Sequence, residues 1–170
     1  MGVDISASSV KMVELSTGSK GGYHLEGYAI ASLAKDAVVD GNIAGLEQVA
    51  DAVKRAWKLL GSREKRTALA LPAAAVISKK VIMPGGLREE EMELQVEGEA
   101  NQYIPFSLDE VNIDFQVLGP APSSPEEVEV LIAASRKEKI EDRVAAVEGA
   151  GLKALVVDVE TYATEAAYTL

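Results

Sequence analysis

The residues with the most chemical potential sit at the very start of the chain, in Gly2-Val3-Asp4-Ile5-Ser6-Ala7-Ser8-Ser9-Val10-Lys11-Met12-Val13-Glu14-Leu15. An Asp at the end of a short apolar run can hold a hydrated Mg²⁺ through water. The hydroxyls of Ser6, Ser8 and Ser9, with free backbone N–H groups in a turn of small residues, can donate to an anion. Lys11 can bring a point charge toward a phosphate. Two apolar runs, Val3 to Ile5 and Val10 to Leu15, flank the hydroxyl cluster, and the second alternates. That is the pattern of strand, tight turn, strand. The same letters also describe a surface hairpin with a polar turn, and local pattern alone leaves both readings open.

Asp158 and Glu160 are a second acidic pair, placed where an apolar strand gives way to a helix. Such a strand end is a good position for chemistry beside a ligand cleft; an acidic residue entering a helix explains the same letters. The run Glu89, Glu90, Glu91, Glu93, Glu97 and Glu99 has helical spacing and reads as a solvated face. His24 is the one histidine and there are no cysteines. This excludes a disulfide framework, a thiol nucleophile and a thiolate zinc site, and disfavours a histidine-based metal site. A net charge of −10 argues against a nucleic-acid surface and against direct binding to an anionic membrane. No run reaches the ~20 apolar residues of a membrane span, so the cytoplasm is the expected compartment.

The elements that must position these residues follow from periodicity. A Gly/Ser-rich turn over 16–22 leads to a third strand, Tyr23 to Leu33, which makes the start an antiparallel meander. Residues 34–45 read as a connection. Leu46, Val49, Ala50, Val53, Trp57 and Leu60 recur at helical spacing and Gly61 supplies a stop. Strands are predicted over Thr67–Leu71 and Val76–Met83, and a helix over Arg88–Tyr103 with Met92, Val96, Ala100 and Tyr103 as its apolar stripe. A strand over Val111–Leu118 and a Pro/Ser loop over 119–125 come next. Val128–Ser135, apolar almost throughout, predicts a strand covered on both faces. A helix over Lys137–Ala150, with Ile140, Val144 and Val147 inward, and a buried strand around Leu155–Val159 complete an expected parallel crossover. A helix follows from Glu160. At 170 residues, one good core or two small subdomains are affordable in size.

An Asp closing the first strand, a turn of small residues and a Lys seven positions later resemble the first phosphate loop of the actin-like ATPases. The wording Val3-Asp4-Ile5-Ser6-x-Ser8-Ser9-Val10-Lys11-x-Val13-Glu14-Leu15 is similar to the PilM family of type IV pilus assembly proteins, relatives of the cell-division protein FtsA. Further likeness lies in Val38-Val39-Asp40-Gly41-Asn42-Ile43, Gln102-Tyr103-Ile104-Pro105, Val111-Asn112-Ile113-Asp114-Phe115, Ala133-Ala134-Ser135-Arg136-Lys137-Glu138 and Val156-Val157-Asp158-Val159-Glu160.

The resemblance implies an α/β (α+β), ribonuclease-H-like fold of actin type. It places an actin-like subdomain at 1–83 and 128–170, and a small FtsA-type insertion at 84–127. It also implies ATP and Mg²⁺ as cofactors, with Asp4 organising the metal through water. Ser6, Ser8, Ser9 and Lys11 would meet phosphate, and Asp158 and Glu160 are candidates for orienting an attacking water. The implied partner is the cytoplasmic tail of the inner-membrane pilus protein PilN, gripped in a groove with Met83, Tyr103, Ile104 and Phe106 as candidate lining. Other pilus-machine proteins would join the platform, with the protein peripheral to the inner membrane. The second phosphate loop and the adenosine pocket of such proteins would fall beyond residue 170, so the chain is expected to be an N-terminal half, inactive alone. The face meant for a second half, including Tyr162, Ala166 and Tyr168, would then invite homo-oligomers or swapped dimers. A sugar-type kinase of the same superfamily is the alternative, and would need a general base and larger insertions.

Overall fold

Period-2 alternation lays down the first sheet of the computed structural model, which describes residues 1–19 and 21–169; Lys20, within the predicted turn at 16–22, and Leu170 lie outside the described residues. β1 (Gly2–Ile5), β2 (Ser9–Thr17) and β3 (Tyr23–Ser32) form the predicted antiparallel meander. Val3 and Ile5 of β1, Val10 and Met12 of β2, and Ala29 and Ala31 of β3 turn to one face and are buried. Helix α1 (Leu46–Leu60) packs there through Val49, Ala52, Val53 and Ala56. Gly61 ends it with φ of +70° and donates its N–H to Trp57, the left-handed stop expected of a helix glycine. β6 (Arg66–Leu71) and β10 (Lys153–Val159) complete the sheet in the order β10-β6-β1-β2-β3. β6 is parallel to both β1 and β10, so the sheet is mixed and the chain has the expected mixed α/β character.

The connection predicted over 34–45 holds a small hairpin instead, β4 (Val38–Val39) and β5 (Asn42–Ile43). Its two-residue loop, Asp40-Gly41, has φ of 49° and 77°. A type I′ turn demands positive φ at both positions, and Asp-Gly is a favoured pair for it. A Cβ added at Gly41 would also lie 3.2 Å from Pro72 Cγ.

The second sheet consists of β7 (Val76–Pro84), β8 (Val111–Ala121) and β9 (Ser124–Arg136), in the order β7-β9-β8 and antiparallel throughout. Helix α2 (Glu89–Ala100) covers one face with Met92 and Val96 against Met83, Val130 and Ile132. Glu91 reaches back to the Arg88 N–H at 3.0 Å, closing the first turn of α2, where three glutamates suit the positive end of the helix. The strands run into the predicted loop at 119–125, leaving only 122–123 at the tip. Register shifts at 117/119 and 120/121 let Gly119 and Pro120 enter a strand on the sheet's edge.

Sequence expectations change here. β9 and β10 lie in different sheets, so they do not form a parallel crossover; the parallel partners are β1, β6 and β10. β9, buried on one face and half-buried on the other, pairs along its length with β7 and β8. The chain forms two compact units, Met1–Ala74 with Lys139–Leu170, and Ala75–Glu138; the insertion expected at 84–127 lies within the second. β10, expected to be buried, is an edge strand with Leu155 and Val156 exposed. Helix α3 (Lys137–Gly149) and helix α4 (Glu160–Tyr168) follow the predicted positions. No helix among the described residues is long and apolar enough to cross a membrane.

α3 buries Ala146, Val147 and, unexpectedly, Arg143, which is 2% exposed. Its Nη2 donates to the Gly41 carbonyl at 2.8 Å, tying the hairpin tip to the helix. Burial lowers the guanidinium's pKa, while Asp142, Glu160 and Asp4 pull it back up; an arginine stays charged under such conditions. Three expectations follow. Gly41→Ala should destabilise the first unit by about 1–2 kcal/mol, from the left-handed backbone and from the Pro72 contact. Gly61→Ala, with open space around its Cβ, should cost about 1 kcal/mol. Arg143→Lys, whose ammonium falls short of the Gly41 carbonyl, should cost about 2 kcal/mol. Urea unfolding followed by circular dichroism checks all three, and equal midpoints for wild type and Arg143→Lys would show the bond to be idle.

Candidate functional site

Parallel strands expose their carboxyl ends side by side, and a ligand crevice forms there when loops diverge from them. In the first unit these ends are Ile5 of β1, Leu71 of β6 and Val159 of β10. Val156 pairs with Ala68, Ala68 with Gly2, and Asp158 with Ala70. Two residues further along each strand, Asp4, Ala70 and Asp158 share the face opposite α1. With strands about 4.8 Å apart, Asp4 and Asp158 flank the methyl of Ala70 as two exposed carboxylates. Small Ala70 leaves a slot between them.

Each carboxylate already has a partner. Asp4 accepts from Lys11 Nζ at 2.8 Å because the antiparallel register sets Lys11 directly opposite Asp4. Lys11 is thus brought to Asp4, as an exposed cross-strand ion pair. Asp158 Oδ1 accepts the N–H of the next residue, Val159, at 2.7 Å, and no side chain caps α4. Glu160 Oε1 accepts the N–H of Ala73 at 3.0 Å and so fixes the chain as it leaves β6. Arg143 carries its charge close enough to feel both Asp4 and Glu160.

The serine turn is tighter than an anion cradle requires. The Ser6 hydroxyl donates to the Ser9 carbonyl at 3.0 Å, and the Ser6 N–H goes to the same oxygen at 3.0 Å. The Ser6 and Ser9 hydroxyls lie 3.4 Å apart, and the Ser8 carbonyl takes the Leu33 N–H. The Ser8 hydroxyl stands exposed at the tip. Among the described residues no group of three or more His, Cys, Asp or Glu side chains gathers as metal ligands. A magnesium ion fits this donor set only with most of its waters retained and with phosphate oxygens completing its shell.

The same face of the sheet carries a shallow depression of about 480 Å³ near the amino ends of β1 and β6, bordered by Met1, Val13, Leu15, Glu64, Arg66 and Val156. Bonds from the Arg66 side chain and from the Arg66 and Lys65 N–H groups hold the Glu64 carboxyl down at about 2. It lies away from Asp4 and Glu160, and its walls are mainly apolar.

The candidate peptide-contacting residues all fall in the second unit, with unequal standing. Met83 and Ile104 are 3% and 6% exposed and belong to its core, the first against α2 and the second with Ala100 and Val111. Both side chains, expected to line a groove, pack inside this unit. Tyr103 packs half-buried against both core clusters; Lys79 Nζ lies 4.5 Å from its ring centre. Its hydroxyl has no partner among the described residues, and burial followed by the Glu99 charge raises its pKa. Phe106 is 39% exposed, with the Arg136 guanidinium 5.5 Å from its ring centre. It is the one of the four that offers a partner an aromatic surface.

Sequence reasoning missed Ala70, whose role is to be small, and the Ala73 amide. It also missed Arg143, though the signal was available: Arg143 sits three residues after Ile140 and four before Val147, on the inward stripe itself.

Comparison with known proteins places this geometry. The family model described as type IV pilus assembly protein PilM matches residues 2–170. A solved chain from a PilM-PilN type IV pilus biogenesis complex is 33% identical, with a TM-score of 0.84 over 95% of this chain and 47% of that one. The cytoplasmic domain of EpsL, an inner-membrane component of the type II secretion system of Vibrio cholerae, shares the fold at 14% identity. Its TM-score is 0.55 over 93% of this chain and 56% of that one. The chain thus spans about half the length of these solved relatives. With a match along essentially its whole length, the chain belongs to the type IV pilus assembly protein PilM family.

Proposed function

We propose that this chain is an adaptor of the type IV pilus assembly platform that recognises the cytoplasmic tail of a PilN-type membrane protein. The observation that carries the reading is the 33% identity, over 95% of the chain, to a protein solved in a PilM-PilN complex. Phe106 with its stacked Arg136 is the anchor available in the second unit, since aromatic and arginine side chains dominate binding energy where they are accessible. Acting beside the inner membrane, the protein is held there by its partner.

The same reading gives the first unit half of a nucleotide site. When bound, Mg²⁺-ATP would supply charge that the protein can sense, with Asp4 holding the hydrated metal and Ser8, Ser9 and Lys11 turned toward phosphate. Asp158 and Glu160 would stand at the far side of the Ala70 slot. Exposed opposite charges ~4 Å apart gain only about 1 kcal/mol in water, so an open half-site holds nucleotide weakly.

Calorimetric titration with a synthetic peptide of a PilN cytoplasmic tail should show saturable binding. Phe106→Ala, at an exposed position, should weaken it by about tenfold with unchanged circular dichroism. Absence of binding by the chain and by its longer relatives alike would sink the adaptor reading. In a separate titration with Mg²⁺-ATP, the chain alone should show no micromolar affinity, and a micromolar Kd would contradict the half-site.

A further inference from the structure

The chain passes from one unit to the other twice, between Ala74 and Ala75 and between Glu138 and Lys139. The second passage lies within the first turn of α3 and is held as helix. The first is the 3₁₀ turn Ala73–Ala75, three alanines with no buried side chain among them. Methyl groups on a surface turn give packing little to grip, so the turn depends on its hydrogen bonds.

Two side chains hold it, one from each unit. Ser135 is buried and its Oγ donates to the Ala75 carbonyl at 2.8 Å. Glu160 is exposed and its Oε1 accepts the Ala73 N–H at 3.0 Å. The two bonds differ in what disturbs them. A buried bond between neutral groups barely responds to charge arriving at the surface. An exposed carboxylate changes partners readily, and a cation with its bound waters is a stronger partner than a neutral amide. Glu160 follows directly on β10, at the end of the sheet where Asp4 and Asp158 gather, and Arg143 feels the charges of Glu160 and Asp4 together. β1 and β10 lie two strand spacings apart, about 10 Å, a gap suited to an ion that keeps its waters.

We propose that Glu160 is a positioning residue with two alternative partners, the Ala73 amide and a Mg²⁺-nucleotide held at Asp4, so that ligand at the acidic end of the first sheet loosens the turn leading into the second unit. The inference rests on the half-site reading above. Without ligand, Glu160 fixes Ala73. With ligand, its carboxylate turns to the hydrated metal, the Ala73 N–H passes to water, and Ser135 alone holds the turn. The state of Asp4 thereby reaches, through one backbone amide, the chain that enters the unit carrying Phe106. Two distinct sites biasing one two-state contact is the minimum that coupling between them requires.

Amide hydrogen exchange of the 170-residue chain, read residue by residue by NMR, tests this. Without ligand, Glu160→Ala should speed exchange at Ala73 by about tenfold with unchanged circular dichroism. Glu160→Gln, whose side-chain oxygen still accepts, should stay within about threefold of wild type. Millimolar Mg²⁺-ATP should speed Ala73 exchange in the wild type by about tenfold, the loss of the same bond. It should leave Ala73 unchanged in both variants once their Asp4 shifts have saturated, because neither side chain carries a charge to draw away. Shifts of the Asp4 and Ser8 amide resonances report binding itself. If those shifts appear and wild-type Ala73 does not respond, the coupling is overturned while the half-site stands. If neither changes at any concentration, both are overturned. Wild-type exchange at Ala73 in Glu160→Ala, or a nucleotide response that persists in Glu160→Gln, overturns the role given to Glu160.

Discussion

The parallel seat of β6 between β1 and β10 governs the rest of the molecule. Arg66 pairs with Lys153 and Leu71 with Val159, so the chain leaves the sheet at Pro72 and must return beside the strand it left. Parallel neighbours cannot be joined by a tight turn. Everything from Pro72 to Leu152 is therefore an excursion with both ends fixed to one sheet, and the second unit is built inside it. The same pairing collects Asp4, Asp158 and Glu160 at one end of the sheet, although they are far apart in the chain.

Local periodicity made most of the elements legible. The meander, α1 with Gly61 behind it, the Met92-Val96-Ala100 stripe of α2 and the position of α3 all follow from side-chain spacing, because each is amphipathic and buries one face. What failed were the pairings. A continuous apolar run such as Val128–Ser135 tells that a strand is well covered, but not which strands lie beside it; β9 reads the same whether its neighbours are β7 and β8 or β10. The hairpin at Asp40-Gly41 was passed over because its strands are two residues each, too short to alternate, although Asp-Gly is itself a turn signal. At the candidate sites, residue types singled out Asp4, while the groove candidates Met83, Tyr103, Ile104 and Phe106 all read equally as core or contact, because an apolar residue in sequence does not say whether it is buried. Met83 and Ile104 are buried and Phe106 is exposed.

Electrostatically the chain separates cheap charges from expensive ones. The pairs Lys11–Asp4, Arg88–Glu91 and Arg136–Glu138 are exposed, where ion pairs contribute little and rearrange easily. Lys11 and Asp4 can thus part when a better partner arrives. Arg143 is the contrary case. A desolvated cation is tolerated only with strong bonds and nearby anions, and Arg143 has the Gly41 carbonyl and the field of Asp142, Glu160 and Asp4. It links the hairpin tip to the acidic end of the sheet by charge, without touching the open face.

Trp57, on α1, packs partly buried against the first core, and it is the chain's one tryptophan. The protein therefore comes with an optical label on one unit only. Indole emission tracks the solvation of the α1 core, while the sheet of β7, β8 and β9, with Tyr103 and Phe106 beside it, contributes no indole signal. Tryptophan fluorescence follows the first unit while circular dichroism sums over both, and a gap between the two curves would measure how far the units unfold independently.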